Sequence, residues 1–132
     1  MAKNDLNLTG VWHGLYSYQA FRQPVYFVAT LIDSGSYVSG TTHESEIGEH
    51  GAPLTLFASI EGSRKESVVT FTKSYDGESG WDHSVNYDGA LNAEATEIEG
   101  KWTIGNKASG RFLMIRNRGV TESVVRKVYE KI

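Results

Sequence analysis

Between Leu8 and Arg116 the chain is a succession of short β-prone runs broken by turn residues, with no helical periodicity between any two of them. Parallel strands need a crossover of about a dozen residues, usually a helix, so these runs must pair antiparallel. The runs are Leu8–Tyr18, Val25–Ile32, Tyr37–His43, Leu54–Glu61, Ser67–Tyr75, His83–Asn92, Glu97–Ile104 and Gly110–Arg116. Eight strands in one meander can close on themselves, which removes both sheet edges. The expected fold is therefore all-β, an eight-stranded antiparallel up-and-down β-barrel. An interior of that size is either packed by side chains or just wide enough for one small ligand.

Local signals place the turns. Asp33-Gly35 closes the second strand, and Gly40 in the third marks a bend or a close backbone approach. Gly62-Ser63 reads as a two-residue hairpin turn, because glycine supplies positive φ there. Residues 45–53 read as a longer loop that can cover the barrel mouth. In the tail, 120–132, the apolar residues Val124, Val125, Val128, Tyr129 and Ile132 form a helical stripe, although the valines also suit a strand. A short C-terminal helix or an extra strand is expected, and no linker or repeat divides the 132 residues into more than one domain.

Composition narrows the function classes. The 13 basic residues never gather into a tract and the net charge is −3, so a nucleic-acid binder is not expected. No apolar run approaches the roughly 18 residues of a membrane helix, and no signal segment precedes the first strand; a soluble, cytoplasmic protein is the expectation. With no cysteine there are no disulfides, thiolate metal sites or thiol nucleophiles. His13, His43, His50 and His83 lack the spacing of adjacent metal ligands and read as surface residues. Asp76, Glu78, Asp82 and Asp88 belong to a solvated turn and its flanks rather than to a calcium loop. A Gly-x-Ser-x-Gly elbow is absent, and neither cofactor nor catalytic group is indicated.

The opening strand carries a resemblance. Leu8-Thr9-Gly10-Val11-Trp12 is similar to the Leu-Thr-Gly-x-Trp start of avidins and streptavidins, and to the Gly-x-Trp signature of calycins more broadly. Gly40-Thr41-Thr42-His43-Glu44 resembles their third strand, Tyr87-Asp88-Gly89 falls where the sixth has Trp-x-Gly, and Trp102 falls where the seventh has a ligand-facing tryptophan. The resemblance implies a streptavidin-like barrel that binds a small molecule without catalysis and is compatible with homo-oligomers. It also implies that Trp12 plugs the closed end with Arg116 or Arg118 across its face. At the positions where avidins hold the polar head of biotin, this chain has Gly14, Tyr18, Thr42 and Glu44. Glycine has no donor and an ionised glutamate only accepts, so the ligand implied is not biotin.

Period-two alternation puts Trp12, Gly14, Tyr16 and Tyr18 on one face of the first strand. With Thr42, Glu44, Tyr75, Tyr87 and Trp102 they make a candidate ligand-binding end, walled by rings and suited to a small apolar or aromatic molecule. Two other readings stand beside it. A barrel filled by those rings could instead bind a protein partner through its outer face, with exposed aromatics such as Phe57 as the mark. A small barrel enzyme using Glu44 or a histidine has no positive signal.

Overall fold

The computed structural model describes residues 7–18, 24–47, 51–75 and 84–116. Eight strands fill it: β1 (Gly10–Tyr18), β2 (Val25–Asp33), β3 (Tyr37–Ile47), β4 (Pro53–Lys65), β5 (Val68–Tyr75), β6 (Ser84–Leu91), β7 (Glu97–Ile104) and β8 (Ala108–Ile115). Each pairs antiparallel with the next, and β1 also pairs with β8, from His13 opposite Ile115 to Tyr18 opposite Gly110, so the barrel is closed. The expected helix or strand at 120–132 lies outside the described residues. Among those residues no helix is long and apolar enough to cross a membrane, which says nothing of crossing by strands.

Alternation builds the core. On β2, Phe27, Ala29, Leu31 and Asp33 are buried, while Thr30 and Ile32 are exposed; on β4, Leu56, Ala58 and Ile60 are buried, while Thr55, Phe57 and Ser59 are exposed. The inward set of all eight strands joins into one cluster running from Leu8 and Trp12 to Tyr75 and Trp102. A second, smaller cluster of Leu15, Leu113 and Ile115, with Tyr26 against it, lies on the opposite face of β1 and β8.

Two expectations about connections are corrected. Gly62 and Ser63 do not form the hairpin turn; they lie in β4, paired with Phe71 and Thr70, and the chain reverses at Glu66-Ser67. Glu66 takes positive φ, 55°, in place of a glycine. The glycine at 62 answers another need, since a Cβ there would collide with the Thr70 carbonyl oxygen and the Phe71 backbone where β4 bends against β5. Similarly, 45–53 is not all loop. Ser45, Glu46 and Ile47 extend β3 and pair with Thr55, Leu54 and Pro53, which leaves 48–52 between the two strands, of which 48–50 lie outside the described residues.

One end of the barrel is locked by two buried polar anchors. Trp12 donates its indole N–H to the Leu8 carbonyl at 2.9 Å, and the Arg116 guanidinium lies 4.5 Å from the Trp12 ring centroid. Arg116 also donates to the carbonyls of Asn7, Thr9 and Ala95 at 2.7–3.0 Å, tying the chain before β1 to the turn between β6 and β7. The bond to Ala95 offsets the positive φ, 58°, of that buried residue. Asp33 is the second anchor. Its carboxylate accepts from the Leu8 and Gly35 backbone N–H groups and from Arg64 Nε at 2.7 Å. Substitutions check the corrected register: Glu66→Gly should raise stability by about 0.5–1 kcal/mol by relieving left-handed strain, whereas Gly62→Ala should cost about 3 kcal/mol or more. Chemical denaturation of the two variants makes the comparison.

Candidate functional site

The other end of the barrel is built around a carboxylate. Glu44 lies on the inner face of β3, where alternation puts it in line with Val38 and Thr42, and it is 2 % exposed. Tyr16 from β1 donates to Glu44 Oε2 at 2.6 Å, and Tyr75 from β5 donates to Oε1 at 2.9 Å. Lys73, also from β5 and 1 % exposed, places Nζ 3.4 Å from the same Oε1. One side chain thus connects three strands across the lumen.

Lys73 sits in an aromatic box. Its ammonium lies 4.7 Å from the Tyr16 ring centroid, 5.1 Å from those of Phe27 and Tyr75, and 5.3 Å from that of Tyr87. Such cation–π contacts strengthen as the cation is desolvated. Toward the mouth, Trp102 stacks edge-on against Tyr16 and Tyr18 at 6.0 and 5.1 Å, and its indole N–H donates to the Ser17 carbonyl at 2.9 Å. Gly110 permits that bond, because a Cβ on it would strike both the Ser17 carbonyl oxygen and the Trp102 ring. Tyr18, half-buried, is the outermost inward ring of β1.

Among the described residues the rings crowd the lumen. Among Tyr16, Tyr18, Lys73, Tyr75, Val85, Tyr87, Trp102 and Ile104 a cavity of about 10 Å³ remains, room for about one water molecule. Of the seven residues that sequence reasoning assigned to this end, Tyr16, Tyr18, Tyr75, Tyr87 and Trp102 line the cavity. Glu44 and Thr42 do not line the cavity. Glu44 lies behind Lys73 and the two tyrosines, and the buried Thr42 hydroxyl has no hydrogen-bond partner. Lys73 is the residue that reasoning missed. Its signal was the parity of Val69, Phe71, Lys73 and Tyr75, which puts the lysine on the inner face of β5.

Electrostatics hold the tyrosines as neutral donors. Burial, followed by the Glu44 charge, pushes the Tyr16 phenol far above its ordinary value of 10. Tyr75 is raised by burial, partly offset by the Lys73 charge, and Tyr87 is raised by burial and then by Glu44. Of the histidines, His13 donates to or accepts from Tyr26 Oη at 2.6 Å on the outer face, with burial lowering its pKa. His43 is exposed against Phe57, and its alternation with Glu44 sends it away from the lumen. His50, His83, Asp76, Glu78, Asp82 and Arg118 lie outside the described residues. Within those residues no three or more His, Asp and Glu side chains gather as metal ligands.

No protein-family model matches the chain, and no curated protein matches it. Among solved structures it is similar to a de novo designed fluorescence-activating β-barrel, with a TM-score of 0.58 and 11 % identity over 89 % of this chain and 100 % of that one. At that identity the likeness carries the closed barrel fold.

The raised phenols set an alkaline limit. Below pH 10 the tyrosines are protonated in both states and their contribution is complete; above it the unfolded chain ionises first, so stability falls as pH rises toward the folded values. The thermal midpoint should therefore drop above pH 10, and Tyr87→Phe should flatten that drop. Tyrosinate absorbance should show Tyr16, Tyr75 and Tyr87 silent until unfolding.

Proposed function

We propose that the chain is a non-catalytic small-molecule-binding barrel whose ligand is taken at the Tyr16, Tyr18, Tyr75, Tyr87 and Trp102 end. The observation that carries this reading is the Glu44–Lys73 pair, buried in an aromatic box beside the cavity. Desolvating two charges costs several kcal/mol per ion, and apolar residues of similar volume usually serve a core as well or better. A buried ionisable pair next to a ring-lined cavity is instead what polar recognition inside an apolar pocket requires.

The ligand in this reading displaces rings rather than entering an open pocket. Tyr18 is the ring that moves in this reading, since it is half-buried and the outermost inward ring of β1. Resemblance to avidins supports the same end of the barrel, with a different polar head: Gly14 is covered by the Phe27 ring and Glu44 is already occupied by its donors. That the structurally similar designed barrel is fluorescence-activating fits a ligand held among rings.

A test follows from Trp102, the tryptophan that lines the cavity among the described residues. Small aromatic molecules should quench its fluorescence and raise the melting temperature, since a ligand that binds only the folded state stabilises it by mass action. Tyr18→Ala should tighten binding several-fold by opening the mouth. A broad aromatic set that neither quenches nor stabilises the wild type or Tyr18→Ala would overturn the proposal.

A second reading has its own observation. Phe57 is 54 % exposed, in a cross-strand row with His43, Val28 and His13 on the outer face of β1 to β4. The nearly filled lumen and that row support a protein-interaction surface, including self-association. Sedimentation should then show concentration-dependent assembly that Phe57→Ser abolishes; a strict monomer at high concentration counts against self-association.

A further inference from the structure

The polarity of the cavity wall says what chemistry the ligand must carry. This step rests on the binding reading above. Lys73 lines the cavity and Glu44 does not. An ammonium carries three N–H donors, and the hydrogen bond of Lys73 in this structure is the long 3.4 Å contact to Glu44 Oε1. Both Glu44 oxygens already accept, Oε2 from Tyr16 and Oε1 from Tyr75 and Lys73. A ligand group arriving in the cavity therefore meets a donor with capacity to spare, while the carboxylate that could attract a donor or a cation does not line the cavity.

Charge balance narrows the choice further. Glu44 and Lys73 together are formally neutral, and the rings around them offer little solvation. An anion would leave the box with one net buried negative charge, sharing a single ammonium between two acceptors. A cation would face the Lys73 ammonium directly across the cavity. A neutral acceptor satisfies Lys73 without either cost, and the space of about one atom group suits an oxygen. Of the remaining walls, Tyr87 and Trp102 then stack on an attached ring.

We infer that the site takes a neutral aromatic molecule bearing a carbonyl or similar acceptor, with that oxygen accepting from Lys73 and the ring held by Tyr87 and Trp102. Glu44 is a positioning residue: it holds Lys73, Tyr16 and Tyr75 in place without touching the ligand.

Four probes of similar size test this: acetophenone, ethylbenzene, benzoate and benzylammonium, measured by Trp102 quenching and melting temperature in the wild type and in Tyr18→Ala. Acetophenone should bind at least about tenfold tighter than the other three, as expected for one hydrogen bond to a charged donor. In Tyr18→Ala/Lys73→Met that preference over ethylbenzene should vanish while ethylbenzene binding persists. Because Lys73→Met strands a buried carboxylate, the parallel variant Glu44→Gln/Lys73→Met removes both charges and reads the same loss. Equal binding of ethylbenzene and acetophenone, or tighter binding of either ion, overturns the inference and leaves the binding barrel standing. Failure of all four probes where other aromatics bind also overturns it, whereas failure of every aromatic takes the binding reading down as well.

Discussion

The carboxylate of Glu44 is the constraint on which this barrel turns. Once an acid is placed inside a closed sheet it must be saturated with donors, because an unpaired buried charge would outweigh the stability of an ordinary domain. The chain meets that demand from two other strands, with Tyr16 on β1 and with Lys73 and Tyr75 on β5. Those choices dictate the rest of this end. The lysine needs aromatic faces around its ammonium, the tyrosine rings occupy the lumen, and Trp102 packs above them with its N–H spent on Ser17. Phe27 fits beneath only because Gly14 has no side chain in its way.

The opposite end solves a related problem by other means. There too charged groups are buried, but Arg116 and Asp33 are satisfied mainly by the backbone: three carbonyls for the arginine, two amide N–H groups plus Arg64 for the aspartate. Bonds of that kind fix the chain path, since they join the segment before β1 to distant turns. The Glu44 network joins side chain to side chain and leaves the backbone free of it. A side-chain network can rearrange about a guest without unpairing a strand, and a backbone lock cannot. The Trp12 end is thus held mainly through backbone groups and the Glu44 carboxylate mainly through side chains.

How much of this was legible in the sequence depended on the type of signal. Strand existence and facing came from alternation, which the inner and outer faces of a closed barrel enforce at every step, so even Glu44 could be placed inside. Turn chemistry misled at 62–67 because glycine has two uses: the chain spent Gly62 on a close approach of β4 to β5 and accepted strain at Glu66 to turn. Between 45 and 47 the polar Ser45 and Glu46 suggested a loop, but backbone pairing with β4 depends on register rather than on side-chain polarity. Lys73 went unremarked for a related reason. A lysine is read by default as a solvated residue, and only the parity of its strand together with a carboxylate on β3 makes its burial affordable.

That pairing also explains how a nearly filled barrel and a binding barrel can be one object. A cavity left open among apolar rings would cost stability in proportion to its volume, and in a domain of this size such a loss is felt. On the proposed reading, closing it with a tyrosine that turns at the mouth avoids the loss in the free protein and moves it to the moment of binding, where ring-on-ring contacts with a guest replace ring-on-ring contacts within the barrel. Dispersion is nearly conserved in that exchange. The polar term is what remains to decide between guests, and in this lumen the Lys73 ammonium is a charged group that lines the cavity with donor capacity to spare. Selectivity would therefore follow the acceptor strength and charge of the guest more closely than its size.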